Sequence, residues 1–144
     1  MAIQFARIEI VSRGKGGNAC CKGAYNARSK VLDERSGVVY NFQHKGDNVY
    51  HEILLPDHVD QKFKNVSVLM NEVERVEKRK DSQLLKEALI ALPDDEELNL
   101  EDRIEITKRI IERMGWVKDG LAVQIDIHQP HDGKKNWHAH VLIL

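Results

Sequence analysis

The chain has 144 residues, 42% hydrophobic and 31% charged, with a formal net charge of -1, which fits one globular domain with a single core. No apolar run approaches the ~18 residues of a membrane span, so no membrane insertion is expected. The N-terminus lacks the pattern of a signal peptide, and Cys20 and Cys21 are adjacent, so they neither staple a fold nor complete a four-thiolate zinc site. A reduced, cytoplasmic setting is expected.

Charge is unevenly spread. Residues 1–45 carry eight basic and three acidic side chains, whereas residues 93–113 carry eight acidic and four basic. That asymmetry is compatible with one face meeting phosphates and equally with scatter in a short chain.

In chain order, Ile3 to Val11 is rich in Ile, Val and Phe and predicts a strand. Ser12-Arg-Gly-Lys-Gly-Gly-Asn18 is a basic, Gly-rich loop without the order of a P-loop, and Asn18 predicts the N-cap of a helix reaching about Lys30. Val38 to Phe42 and Val49 to Leu55 predict two strands around a Lys45-Gly46-Asp47-Asn48 turn, the second ended by Pro56. Val66, Leu69, Met70, Val73 and Val76 recur at helical spacing and predict a helix over 66–79. Leu84 to Leu92 is an apolar run of strand length, ended by Pro93 and followed by an acidic loop, Asp94 to Glu97. Leu100, Ile104, Ile111 and Met114 mark a helix capped by Asn99. Leu121 to His128 and His138 to Leu144 predict two strands around a polar loop, Gln129 to Trp137. The pattern predicts an α/β (α+β) sandwich with a largely antiparallel central sheet and packed helices. The apolar strand running into Leu144 suggests a piece of a longer protein.

The sharpest chemical signal is His128-x9-His138-x-His140. Residues two apart on a strand share a face, so His138 and His140 project together, and a hairpin brings His128 to the same end. Three converging imidazoles leave coordination positions open, as in catalytic metal sites; a His-x-His pair is also commonly packing or surface. His131 falls in the loop, and His44, His51 and His58 have no visible constellation. On a helix, Lys22 and Arg28 lie three residues either side of Tyr25. A phenol attacks best as phenolate, which cations favour; a tyrosine there is also an ordinary packing residue. The loop containing Arg13 and Lys15 can meet a phosphate at a helix N-terminus or be a flexible turn. Glu87, in an apolar strand, needs a partner: it either orients a ligand histidine or pairs with a cation such as Lys86 or Arg109. Tyr40, Tyr50 and Trp137 are candidate base-stacking residues.

Several stretches together resemble the MobA/MobL family of conjugative relaxases, including the relaxase part of TraA-type proteins. They are MAIQFARIEIVSR, Ala24-Tyr25, Asp33-Glu-Arg-Ser-Gly37, Tyr50-His-Glu-Ile-Leu-Leu-Pro56, Val73-Glu-Arg-Val-Glu-Lys-Arg-Lys-Asp-Ser82, Lys86-Glu-Ala-Leu-Ile-Ala-Leu-Pro93 and the closing Ile127-His-Gln-Pro-His-Asp-Gly-Lys-Lys-Asn-Trp-His-Ala-His140. The resemblance spans nearly the whole chain in order. It implies a histidine-triad (HUH-type) nuclease fold, with Tyr25 as nucleophile, His128, His138 and His140 as metal ligands, and Glu87 as an acidic residue near the site. It implies nicking and rejoining of single-stranded DNA at a plasmid origin of transfer through a 5′-phosphotyrosine. The metal would be Mg²⁺ or Mn²⁺, or Zn²⁺ or Ni²⁺ in a purified sample. Arg13, Lys15, Lys22 and Arg28 become DNA-contact candidates, and accessory relaxosome proteins and a type IV secretion coupling protein become partners, in a bacterial cytoplasm. The sequence departs from the family at Asn26 and Ala27, where many members have arginine and serine. Three alternatives stay open: a rolling-circle replication initiator, in which the tyrosine usually follows the histidines; a metal-dependent hydrolase that does not use Tyr25; and a non-catalytic DNA-binding fragment.

Overall fold

The computed structural model describes residues 6–94, 96, 98–130 and 137–144. Seven strands and three helices alternate along the described chain: β1 (Ala6–Ser12), α1 (Ala19–Ala27), β2 (Lys30–Leu32), β3 (Val39–Asn41), β4 (Asn48–Leu54), α2 (Val66–Val76), β5 (Gln83–Ala91), α3 (Leu100–Met114), β6 (Val123–His128) and β7 (His138–Ile143). Five of the strands form one sheet in the order β1-β5-β7-β6-β4, with every pairing antiparallel.

The two-residue periodicity of the central strands sorts side chains onto two layers. Leu85, Leu142 and Ile53 pack with Ala19, Cys20, Ala24 and Met70 of α1 and α2. Ala88, Ile90, Ala139, Val141, Ile143, Val123, Ile125 and Ile127 point the other way and pack with Ile111 and the half-buried Leu100 and Ile104 of α3. The result is a sheet with helices on both faces, in agreement with the expected antiparallel α/β sandwich. β6 reads buried at every position because both of its faces are covered.

Each helix starts on an asparagine whose side chain satisfies a backbone N–H that the helix itself leaves open. Asn18 accepts from Cys21, Asn65 from Val68, and Asn99 from Asp102, which returns the bond to the Asn99 backbone. α1 is lined by small residues and lies close on α2: a β-carbon at Gly23 would sit 2.6 Å from Met70 Cγ. Gly17 has a backbone reason too, since a β-carbon there would meet the Ser12 carbonyl oxygen at 2.6 Å.

Several expectations are corrected. β3 and β4 do not pair with each other. β3 pairs with β2, which the sequence reading missed, in a separate two-stranded ribbon, while β4 crosses to the main sheet beside β6. A three-residue strand such as Lys-Val-Leu carries too short a pattern to be read. α1 stops at Ala27 because Arg28 takes a left-handed conformation (φ 52°), and α2 stops at Val76. Within the basic loop, Arg13–Lys15 forms a short 3-10 turn. The first residues of the expected N-terminal strand, His131 with most of the loop after β6, and parts of the acidic loop lie outside the described residues. No described helix is long and apolar enough to cross a membrane.

Candidate active site

β6 and β7 form the expected antiparallel pair, with His128 opposite His138 and Asp126 opposite His140. Register and pleat place His128, His138 and His140 on the α1 side of the sheet. The His128 and His140 rings lie 4.3 Å apart between centroids, and those of His138 and His140 lie 6.4 Å apart.

α1 is held against this end of the sheet at the turn carrying Tyr25. His128 Nε2 is 2.7 Å from the Asn26 carbonyl oxygen, which requires that nitrogen to carry the proton and donate. The other ring nitrogen, Nδ1, faces the Arg28 guanidinium at 3.3 Å and accepts. Both nitrogens of the neutral ring are thereby engaged. Burial, together with nearby Arg28 and His140, outweighs the Asn26 hydrogen bond and pushes the His128 imidazole down to about 4, so it stays uncharged at neutral pH.

Glu87 answers the question of its partner. Its carboxylate accepts from Asn26 Nδ2 at 2.9 Å, meets Lys22 Nζ at 2.9 Å and lies 3.3 Å from His140 Nδ1. Burial alone would raise this carboxyl, yet the bonds from His140, Asn26 and Lys22 together hold it down at about 2. Its cation is therefore Lys22, rather than Lys86 or Arg109. Lys86 sits on the opposite face of β5, and Arg109 pairs with Glu105 within α3.

Tyr25 is half-buried, with Phe42 edge-on at 5.2 Å. Three cations surround its ring: the Arg28 guanidinium at 4.5 Å, Lys22 Nζ at 5.5 Å and Lys45 Nζ at 5.5 Å from the centroid. Lys45, in a 3-10 turn before β4, was not foreseen at this site, and nothing in its local spacing signals it. Arg28 is fixed by Asp47, which it meets through Nε at 2.6 Å and Nη2 at 3.2 Å, and by the Tyr25 carbonyl. A left-handed arginine costs roughly 1–2 kcal/mol; these bonds offset it and aim the guanidinium across the tyrosine.

Of the four cations expected to meet DNA, Lys22 and Arg28 flank Tyr25, and Lys15 is exposed. Arg13 is turned inward. It donates to Glu74 Oε1 at 2.8 Å and to the backbone oxygens of Glu77 and Arg79. Glu74, 2% exposed, also accepts the Ala19 N–H at 2.7 Å, at the first turn of α1. Arg13 thus works inside the fold, joining β1, α1 and the end of α2. The aromatic candidates are similarly engaged: the Tyr50 hydroxyl bonds Glu52, Tyr40 packs against the core, and Trp137 lies under the Arg103 guanidinium at 4.2 Å.

Among the described residues, no group of three or more His, Cys, Asp or Glu side chains is drawn together to hold a metal ion. A ready-made three-histidine cradle was expected and is corrected in that respect, for a physical reason. His128 spends its nitrogens on Asn26 and Arg28, and His140 turns Nδ1 to Glu87. The donor set nevertheless suits a divalent cation: three imidazoles lie at one sheet end, and the uncharged His128 keeps a lone pair on Nδ1, directed at Arg28, the contact that a metal would replace. His51, treated as bland from sequence, places Nδ1 at 2.6 Å from the fully buried Asp126. The sequence signal for that pair was the odd aspartate inside the apolar strand Val123–His128.

Comparison with known proteins follows the same lines. The model of the MobA/MobL family matches residues 18–144. The chain is 32% identical over 143 residues to a probable mobilization protein MobA of Bifidobacterium longum, covering 99% of this chain and 25% of that protein. It is 27% identical over 152 residues to a probable conjugal transfer protein TraA of Sinorhizobium fredii, 13% of whose length it covers. The chain thus spans about a quarter or less of these two relatives. A solved structure concerning the molecular basis of vancomycin resistance transfer in Staphylococcus aureus superposes with a TM-score of 0.87 at 34% identity, covering 99% of this chain and 70% of that one.

Proposed function

This chain belongs to the MobA/MobL family of conjugative relaxases, and we propose that it nicks and rejoins one DNA strand at an origin of transfer, using Tyr25 as nucleophile. The observation that carries the reading is the seating of the Tyr25 turn on the histidine end of the sheet. His128 bonds the carbonyl of Asn26 at 2.7 Å, and Asn26 bonds Glu87 at 2.9 Å. One helical turn, His128, Glu87 and, through Glu87, His140 are thereby a single bonded unit, with the His138 ring 6.4 Å from that of His140.

In this reaction the Tyr25 phenolic oxygen attacks the scissile phosphorus and the bond to the 3′-oxygen breaks. A 5′-phosphotyrosine and a free 3′-hydroxyl result. The proton lost by the phenol is balanced by the one the leaving oxygen takes up, and reversal reseals the strand without an external energy source. Lys22, Arg28 and Lys45 around the ring favour the approach of phosphate. His128, His138 and His140 would hold a divalent cation, Mg²⁺ or Mn²⁺, which supplies Lewis-acid stabilisation of phosphate oxygens when bound. Glu87 positions His140 and neutralises Lys22. Lys15 and the neighbouring basic surface would meet the single-stranded backbone. Accessory proteins of the relaxosome and a type IV secretion coupling protein are the partners this reading implies.

The test is a covalent adduct on a denaturing gel, formed with labelled single-stranded DNA from the origin region of the source element, with and without Mg²⁺ or Mn²⁺. A metal-dependent adduct with the parent chain and none with Tyr25→Phe is expected. An adduct that persists in Tyr25→Phe, or none from folded, metal-loaded protein on the right DNA, refutes the proposal for this chain.

A further inference from the structure

Asp126 lies in the middle of β6, opposite His140, and is fully buried. Nothing in the reaction above uses it, yet its bonds converge on the Tyr25 turn. Oδ2 accepts from Gln124 Nε2 at 2.7 Å, and the same nitrogen donates to the Gly23 carbonyl at 3.2 Å. Oδ1 accepts from Asn48 Nδ2 at 3.1 Å, and that nitrogen donates to the Ala27 carbonyl at 3.2 Å. The two amides therefore hold the backbone two residues before and two residues after Tyr25, and each is itself held by one oxygen of the same carboxylate. His51, 2.6 Å from Oδ1, is the third neighbour.

A carboxylate suits this place for a specific reason. A side-chain amide can turn to present either its nitrogen or its oxygen. An ionised carboxylate only accepts, so both amides must present nitrogen to it, and those nitrogens then also reach the two carbonyls. The arrangement leaves Gln124 Oε1 and Asn48 Oδ1 buried without a hydrogen-bond partner among the described residues. The fold keeps two unsatisfied oxygens rather than release the donors from α1, which argues that the clamp has a use beyond cohesion.

We propose that Asp126 is a positioning residue that, through Gln124 and Asn48, locks the Tyr25 turn of α1 in register with the histidines of β6 and β7. The inference rests on the nicking reading for its purpose and on the geometry alone for its existence.

Two readouts separate these. The chain contains three tyrosines. Labelling them with 3-fluorotyrosine gives three fluorine resonances, with that of Tyr25 assigned by its loss in Tyr25→Phe. In Asp126→Asn, Gln124→Met and Asn48→Leu, the Tyr25 resonance should split or broaden while those of Tyr40 and Tyr50 stay in place. On origin DNA, the rate of adduct formation at saturation should fall about 10- to 100-fold, with DNA affinity, measured in the Tyr25→Phe background, unchanged. An unmoved Tyr25 resonance in the folded variants overturns the proposal, and so does equal movement of all three resonances. If Asp126→Asn fails to fold, the two amide variants decide. Should the parent chain form no adduct, the nicking reading fails, and the fluorine spectra still decide whether Asp126 positions Tyr25.

Discussion

Replacing Glu87 with glutamine removes one charge from the most connected carboxylate of the site while keeping its shape. In the folded chain the Glu87 carboxyl lies at about 2 instead of the ordinary 4.5. At about 1.4 kcal/mol per pH unit, that difference contributes about 3 kcal/mol to stability at neutral pH. The folded value is the lower one, so the contribution is complete above 4.5 and drains away as pH falls toward 2; by pH 3 roughly 2 kcal/mol of it is gone. Glu87→Gln should therefore unfold at clearly lower urea than the parent at pH 7, and the gap should close by about two thirds at pH 3. Urea titrations at pH 7, 5, 4 and 3, followed by far-UV circular dichroism, measure both quantities. Equal stability at pH 7, or a gap that stays constant between pH 7 and pH 3, would refute the account of Glu87 as an ionised, three-partnered carboxylate.

Further outcomes follow from the same contacts. His128, buried and held at about 4, lies below its unfolded value near 6.5, so the unfolded chain takes the proton first and stability falls as pH drops from 6.5 toward 4; an NMR titration showing this ring protonated at pH 5.5 would contradict that. Gly23→Ala places a methyl 2.6 Å from Met70 Cγ and should cost about 1–3 kcal/mol by overpacking, despite alanine being the better helix former; thermal melts of the single variants and of a double variant with Met70→Ala should show strong non-additivity. Glu74→Ala removes the buried carboxylate shared by the Arg13 guanidinium and the Ala19 N–H, leaving Arg13 only backbone acceptors, and should cost about 3–5 kcal/mol, whereas Glu72→Gln on the exposed side of the same helix should leave the unfolding midpoint where it was.

The elements with long, strong patterns were legible. α2 and α3 announced themselves by apolar spacing, and the β6–β7 hairpin by two apolar runs around a polar loop. Pairing of β4 was not, because a strand beside a short turn signals a hairpin locally, while its partner β6 lies some seventy residues away and is chosen by burial of Ile53 and its neighbours. The histidines were found because period two puts His138 and His140 on one face. Asp126 and His51 were passed over because their meaning depends on that distant pairing. Arg13 is the reverse case: a basic loop suggested phosphate, and the fold turns this side chain toward the buried Glu74. Of residues 26 and 27, where the chain departs from the resembling family, Ala27 meets Asn48 through its backbone carbonyl alone, whereas Asn26 adds a side-chain bond to Glu87 that its carbonyl contact with His128 does not supply.

The strand order carries a consequence for synthesis. β7, formed by residues 138–143, lies between β5 and β6, so the two halves of the sheet stay unjoined on the ribosome until that segment has cleared the exit tunnel. A nascent chain that has emerged as far as residue 130 holds β1 and β5 with one open flank and β4 and β6 with another, each flank a bare row of backbone donors and acceptors. During that interval the chain is exposed to strand-pairing errors, and slower elongation before residue 138 would prolong it. The same delay keeps His138 and His140 away from Tyr25 until residues 138–143 have emerged.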